Sequence, residues 1–365
     1  MITANPITVL CYTGYDDDRG GIMMVIRHLA ATGCFRCVLG VNAGFGRQDG
    51  PALDVLELPR VEGERISLGN IWRARAAARA VRDWLRAEPG RVFHGHSRAG
   101  LLVALWLRWW GEPPVVVSVH CYGRQRWFYR AAKKILGQRL RWLTPAMRRY
   151  YFGGVPADWT DCVPNGVPGT PAAEMRCWPG GRTLRLGGAG QLTANKRWHL
   201  VIAALARLPA DAPVEYYHLG GSTGDPDSTA YTQELKALTA RHGLDDQVHW
   251  LGWQPSSAGL LREVDAVVVP FHQEAFSLIA LEALYAGVPV IAARGGGPDD
   301  LILDGVNGWL FEPDDPAALA ALWRDLLQPD AWRELRVDTG HLQRFSAPVV
   351  AEQWARIYER LLAGQ

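Results

Sequence analysis

Short apolar runs alternate with stretches of helical spacing along the chain. Ile7–Cys11 reads as a buried strand, and Gly20-Gly21 then opens a helix through Met24, Val25, Ile26 and Leu29. Cys37–Val41 follows as a strand. Ile71–Leu85 has helical periodicity, with Arg73, Arg79, Arg82 and Arg86 set for its solvent face. Val92–His94 is a short strand, Ala99–Trp109 a helix, and Val115–His120 an apolar run broken only by Ser118 and ending in histidine. Asn165-Gly166-Val167-Pro168-Gly169 reads as a turn and linker, after which the alternation restarts. Leu184–Leu186, Val214–Leu219, Val248–Gly252, Ala266–Pro270, Val288–Ala292 and Trp309–Phe311 read as strands. Lys196–Arg207, Thr229–His242 and Leu278–Ala286 read as helices, as do a segment after Gly295-Gly296-Gly297 and the C-terminal Val349–Leu362. Strands alternating with helices predict parallel sheets covered on both faces. Two such series predict an α/β chain of two doubly wound domains facing one another. Ligands are then expected beyond the carboxyl ends of the strands, in the cleft between the domains.

Composition narrows the class without naming a function. The 365 residues are 48% hydrophobic and 21% charged, which excludes a disordered chain. Six cysteines exclude a disulfide-dense scaffold. Cys34-x-x-Cys37 has no second pair at metal spacing, so buried thiols are expected and no structural metal. No apolar run reaches the ~18 residues needed to cross a bilayer. The N-terminus lacks a basic leader and runs quickly into Asp16-Asp17-Asp18, so a cytoplasmic location is expected.

Charge is unevenly placed. Residues 1–165 hold 23 Lys and Arg against 13 Asp and Glu, a balance of +10, and the remainder carries −8. Such asymmetry points to an anionic partner for the first half. Its densest part holds Arg124, Arg126, Arg130, Lys133, Lys134, Arg139, Arg141, Arg148 and Arg149 with no acid between, interleaved with Trp127, Phe128, Tyr129 and Trp142. Basic segments carrying aromatics suit anionic membrane surfaces. Nucleic acid is not expected, because nothing else resembles a nucleic-acid module.

The most informative stretch runs from Glu274 through Glu282 to Val288-Pro289-Val290-Ile291. It follows a strand and enters a helix. The backbone N–H groups of Phe276, Ser277, Leu278 and Ile279 would sit at that helix N-terminus, a ready site for a diphosphate. Glu282 is placed on the helix to accept ribose hydroxyls. Glu274 is placed in the loop to meet sugar hydroxyls or a cationic anomeric carbon.

Here the sequence resembles retaining glycosyltransferases of the GT-B fold, glycosyltransferase family 4. That family's two glutamates separated by seven residues match Glu274 and Glu282. Glu-Ala-Leu-x-Ala-Gly-x-Pro-Val-Ile continues the match, as do Gly295-Gly296-Gly297-Pro298 and Asp304-Gly305-Val306-Asn307-Gly308. Gly190–Lys196 resembles the family's diphosphate loop. Lys196 fits it, but Gln191 stands at the arginine position, leaving Arg197 or backbone dipoles to compensate. Gly20-Gly21-Ile22 resembles the N-terminal glycine loop, which implies that Gly21 approaches the donor. Asn165-Gly166-Val167 matches the interdomain turn, and His120 the histidine near the donor sugar. His94 and His96 would line the acceptor side or cap their strand.

The resemblance implies an N-terminal acceptor domain (1–168), a nucleotide-sugar domain (169–345), and a terminal helix (346–365) crossing back to the first domain. It implies transfer of a sugar from a nucleoside diphosphate sugar with retention of configuration, catalysed through Glu274, His120 and Lys196. The acceptor side would include Arg124, Arg126, Trp127, Arg130, Lys133 and Lys134. The expected acceptor is a glycan or lipid-linked molecule of an envelope polysaccharide or lipopolysaccharide, handled peripherally at the inner membrane face. The nucleotide sugar is a co-substrate, and no cofactor or metal is required. Asp16-Asp17-Asp18 is read as loop acid. A soluble small-molecule acceptor, a related sugar-nucleotide epimerase and a non-catalytic nucleotide-binding protein are the alternatives. A remote one is an α/β-hydrolase, since Gly95-His96-Ser97-Arg98-Ala99 resembles a nucleophile elbow, followed in order by Asp304 and His341.

Overall fold

The computed structural model describes residues 7–16, 20–46, 53–112, 114–155 and 158–364. The chain forms two compact α/β units, Met1–Pro168 with Arg344–Gln365, and Gly169–Gln343.

Unit 1 runs β1 (Thr8–Tyr12), α1 (Gly21–Ala30), β2 (Arg36–Asn42), β3 (Asp54–Leu58), α2 (Leu68–Ala87), β4 (Arg91–Gly95), α3 (Arg98–Trp109), β5 (Val115–Val119), α4 (Arg126–Leu136), β6 (Leu140–Trp142) and α5 (Pro145–Phe152). Its six parallel strands lie in the order β3-β2-β1-β4-β5-β6. β1, β4 and β5 are buried almost throughout, the state their continuous apolar runs predict. The edge strand β3 is mostly exposed, and its sequence carries no apolar run to announce it. Neither does the three-residue β6, embedded in the arginine-rich stretch.

Unit 2 runs β7 (Leu184–Ala189), α6 (His199–Leu205), β8 (Val214–Leu219), α7 (Pro226–Arg241), β9 (Val248–Gly252), α8 (Ala258–Glu263), β10 (Ala266–Val269), α9 (Leu278–Tyr285), β11 (Val290–Ala293), α10 (Pro298–Leu301), β12 (Gly308–Phe311), α11 (Pro316–Leu326) and α12 (Thr339–Gln343). Its order is β12-β11-β10-β7-β8-β9, again all parallel. Counted from its own first strand this is the order of unit 1. Both units are therefore Rossmann-like, each with a switch point where consecutive strands part to opposite sides.

The last helix, α13 (Ala347–Ala363), packs within unit 1 against α1 and β4. A bridge between Val167 and Ser346 brings it back beside the linker turn. Helix starts follow capping chemistry. Ser67, Ser97, Thr144, Asp225, Asp315 and Ser346 each accept a backbone N–H of the first turn, and four of the six helices carry proline at the first or second position.

One predicted helix is broken. The stretch read as Lys196–Arg207 begins with a tight turn, Ala194–Lys196. Arg197 is then left-handed at φ 55°, and α6 starts only at His199. A non-glycine residue there ends helical continuation. Lys196 therefore sits on a loop instead of a helix face.

Candidate functional site

In unit 2 the switch point lies between β7 and β10. The loops after these strands meet there. Lys196 Nζ donates to Glu274 Oε2 at 2.8 Å and stands 4.1 Å from the centre of the buried Phe271 ring. The lysine and glutamate side chains retain 26% and 16% of their exposure, so the pair is reachable from solvent. An ion pair over an aromatic face holds the ammonium in place.

The loop from β10 to α9 is held from several sides. Gln273 and Ser277 are both left-handed, at φ 59° and 70°, a strain that surrounding contacts must hold. Ser277 Oγ accepts the Ala280 N–H at 3.4 Å, capping α9. Gly297 N donates to the Glu274 carbonyl at 2.6 Å. A Cβ on Gly297 would lie 2.3 Å from the Ala275 carbonyl oxygen, so only glycine lets the two loops approach.

Glu282 stands in the second turn of α9, half-buried, and accepts the Ser257 hydroxyl at 2.6 Å. Burial raises its carboxyl pKa, which the Ser257 bond opposes. Arg197 does not stand free beside Lys196, because Asp314 holds its guanidinium. His272 Nδ1 lies 3.6 Å from the same carboxylate. Gln191 is exposed, and its backbone carbonyl accepts Trp198 Nε1–H at 3.0 Å. One edge of the sheet thus offers a cation, a helix N-terminus, and two carboxylates at different depths. That set suits a polar ligand with an anionic centre and several hydroxyls.

The corresponding edge of unit 1 is chemically different. His94 is fully buried, with Nδ1 2.7 Å from the Tyr358 hydroxyl and Nε2 2.8 Å from Ser118 Oγ. It is therefore enclosed in the core and does not line a surface. His96 stacks on it at 3.8 Å, and His96 Nδ1 lies 3.2 Å from His120 Nε2. His120 is half-buried, the outermost of the three. Burial lowers all three imidazoles, His120 to about 3, so they are neutral at pH 7. Cys11, His94 and His96 place ligand atoms within 4.8 Å of one another. The two stacked rings send their in-plane lone pairs side by side, however, and both His94 nitrogens already hold protein partners. Cys37, opposite Val9 in the β1–β2 register, meets the Cys11 thiol diagonally and does not join Cys34.

Gly20 precedes α1 at φ 106° with no side-chain cap, and Gly21 is the first helical residue. Asp16 accepts Asn42 Nδ2 at 3.1 Å and Arg60 at 2.5 Å; Asp17 and Asp18 lie outside the described residues. The elbow-like Ser97 donates its hydroxyl to the Thr13 carbonyl and caps α3 through Gly100 N at 3.3 Å. Asp304 binds Arg294 and the Leu310 N–H, while His341 Nε2 meets the Leu301 carbonyl at 3.0 Å. The three hydrolase candidates are thus separately engaged in structural bonds.

The basic stretch is not one solvated face. Lys133 and Arg141 pair with Asp161, and Arg148 is buried against Asp158. These acids follow the stretch in sequence, so the run of cations alone did not announce them. Arg124, Arg126, Trp127, Arg130 and Lys134 remain exposed. Ser257, Phe271, Asp314 and Gly297 were also missed as parts of the unit 2 site. Only the glycine triplet before Pro298 carried a signal.

Comparison with known proteins bears on this geometry. Residues 185–341 match the family described as glycosyl transferases group 1, and residues 21–168 match glycosyltransferase family 4. The chain is 37% identical over 147 residues to a D-inositol 3-phosphate glycosyltransferase of Xylanimonas cellulosilytica. That match covers 40% of this chain and 34% of the relative, so the chain spans about a third of that relative's length. Sucrose-phosphate synthase of Thermosynechococcus elongatus superposes with TM-score 0.77 at 20% identity, covering 98% of this chain and 100% of the other. HepE of Anabaena, solved with UDP, superposes with TM-score 0.73 at 20% identity, covering 98% and 100%. It has also been solved with UDP-glucose. Matches to two glycosyltransferase families over successive parts of the chain, on two Rossmann-like units, support a glycosyltransferase of the GT-B fold.

Proposed function

We propose that the protein transfers a sugar from a nucleoside diphosphate sugar to a glycan or lipid-linked acceptor, with retention of anomeric configuration. The observation that carries this reading is the Lys196–Glu274 pair at the unit 2 switch point, beside the N-terminus of α9 and Glu282. Glu282 accepts the ribose hydroxyls. The N–H groups of residues 276–279 and Lys196 take the diphosphate, and Glu274, released from Lys196, orients the sugar. As the glycosidic bond breaks, negative charge grows on the leaving phosphate, where fixed N–H dipoles and the ammonium stabilise it. The leaving phosphate takes the acceptor proton on the face where the new bond forms, so no separate base is assigned.

Arg197 is engaged by Asp314 and Gln191 is uncharged, so Lys196 and backbone N–H groups carry the diphosphate. No metal is assigned to that role. His120 and Gly21 of unit 1 are assigned to the donor by the family resemblance alone. The nucleotide complexes of HepE make UDP and UDP-glucose the first compounds to try.

For the acceptor, α4 supports a lipid-linked molecule. Trp127 and Ile135 are exposed at 69% and 56%, and Arg130 and Lys134 lie between them on the helix. This suits peripheral attachment to an anionic membrane. No helix among the described residues is long and apolar enough to cross one. The name of the Xylanimonas relative favours a second reading, a soluble phosphorylated cyclitol acceptor. The test is incubation with UDP-, GDP- and ADP-glucose, following nucleotide release and product anomer by proton NMR. Release dependent on an acceptor, with an α product from an α donor, supports the reading. No release with any donor, or a β product, overturns it.

A further inference from the structure

Unit 1 carries a second exposed aromatic cluster, away from α4 in sequence. On α2, Leu68 and Trp72 are exposed at 79% and 63%; on α3, Trp109 is exposed at 74%. The residues are contiguous in space. The Trp72 ring lies 5.8 Å from that of the buried Trp106, which lies 4.9 Å from Trp109. Trp106 Nε1–H is bonded to the Ile71 carbonyl at 2.8 Å, so the cluster sits on a fixed base. Side chains this large gain most when their apolar faces leave water. Monomeric surfaces rarely leave several of them open together.

Charge surrounds the cluster. α2, α3 and α4 together carry eleven arginine and lysine residues and one acid, Asp83. Four of the cations, Arg73, Arg86, Arg98 and Lys133, pair with Glu62, Glu112, Glu64 and Asp161 from neighbouring segments, which leaves a positive excess. Along α2 the positions 72, 75, 79 and 82 follow helical spacing, placing three arginines on a line with Trp72, while Arg86 farther along is paired with Glu112. Arg75 and Arg82 lie over the rings of Trp106 and Trp110 at 5.7 and 5.1 Å. α3 packs against both α2 and α4. Right-handed crossovers place all three helices on one face of the sheet. Where α3 meets the end of α4, Arg108 stands close enough to repel Arg139, whose guanidinium is lowered first by burial and then by that neighbour. A face that holds like charges together around exposed tryptophans is complementary to an anionic, partly apolar surface.

We propose that the α2–α3 face, through Leu68, Trp72 and Trp109 with the arginines of α2, docks on an anionic lipid bilayer. It acts as the principal anchor, beside the smaller patch of α4. Indole rings would settle at the headgroup level while the arginines meet lipid phosphates. This rests on the membrane attachment read above from α4, and it moves the main contact to different residues.

The test is sedimentation of the full chain with vesicles of pure phosphatidylcholine and of phosphatidylcholine with phosphatidylglycerol. Three variants are compared: Trp72→Ala with Trp109→Ala, Arg79→Glu, and Trp127→Ala with Ile135→Ala. All the changed side chains are exposed, and melting curves check that each variant folds. The expected result is binding only to the anionic vesicles, weakened by salt. Partitioning should fall roughly tenfold in the Trp72/Trp109 variant, severalfold in Arg79→Glu, and less in the α4 variant. Loss in the α4 variant alone would overturn the proposal and leave the attachment through α4 standing. No binding by the wild type would overturn both. A concentration-dependent dimer abolished by the Trp72/Trp109 changes, without vesicle binding, would assign the face to a second copy of the chain.

Discussion

The two units share one strand order, and each has a switch point at the carboxyl ends of its strands. In unit 1 that edge is filled by neutral, stacked histidines and by Ser97 bonded to backbone. In unit 2 the same topological position holds a solvent-reachable lysine–glutamate pair beside the Ser277-capped N-terminus of α9. The sheet supplies a place for chemistry in both, and loop residues decide whether it becomes polar machinery or packed core. Surface charge divides the same way, with the basic excess on the first half and the acidic excess on the second.

The largest effect expected from breaking this contrast is on transfer. Glu274→Ala should lower the transfer rate by about 10²–10³-fold, the range for losing a transition-state contact in a preorganised site. His94→Phe in unit 1 should act mainly on thermal stability, because both nitrogens of that ring bond protein and the ring packs on Trp354. Initial rates and melting temperatures of the two variants measure the difference. Equal losses of rate would erase the distinction between the two edges.

A matched pair of glycine substitutions sharpens it. A Cβ on Gly297 meets the Ala275 carbonyl oxygen at 2.3 Å, and one on Gly95 meets the Gly100 backbone at 2.7 Å. Each alanine should cost about 1–3 kcal/mol of stability, as overpacking does. Only Gly297→Ala should also weaken nucleotide binding, since it displaces the loop that positions Glu274. Calorimetry on both variants separates the outcomes.

Acid should strike unit 1 first. His94, His96 and His120 are held below their ordinary pKa by burial, His120 at about 3, so in the window from about pH 6.5 down to these lowered values the unfolded chain binds more protons than the folded one. Stability therefore rises with pH and is lost as pH falls through that window, by up to about 1.4 kcal/mol per pH unit per histidine. In unit 2, His218 is lowered to about 4 and His199 to a lesser degree. Hydrogen exchange at pH 5 should show β4 and β5 losing protection before β7 and β8, and the reverse order would contradict this. The smallest effect concerns metal: EDTA should leave nucleotide affinity unchanged if Lys196 and backbone N–H groups hold the diphosphate.

Much of the architecture was legible because buried parallel strands are written as apolar runs, as in Val115–Val119 and Ala266–Val269. β3 and β6 were not, being an exposed edge and a three-residue strand. The two glutamates were singled out by their place around a strand-to-helix loop and, with Lys196, by the family resemblance. Their setting could not be read that way, because Phe271 reaches Lys196, Ser257 reaches Glu282 and Asp314 holds the neighbouring Arg197 through loops joined only in the folded chain. Nor does periodicity reveal a left-handed residue such as Arg197, which turns a predicted helix into the loop that carries Lys196. His94 shows the opposite failure: a motif histidine whose hydrogen bonds to Ser118 and Tyr358 place it in the core.

The central claim is that the unit 2 edge is the nucleotide site. Calorimetric titration of UDP, GDP and ADP into wild type, Lys196→Ala and Glu282→Ala tests it most directly. One nucleotide should bind the wild type, and each substitution should weaken it by about 1–3 kcal/mol, the cost of losing a charge-assisted hydrogen bond. Binding unchanged in both variants, or no binding by any of the three nucleotides, would contradict the assignment.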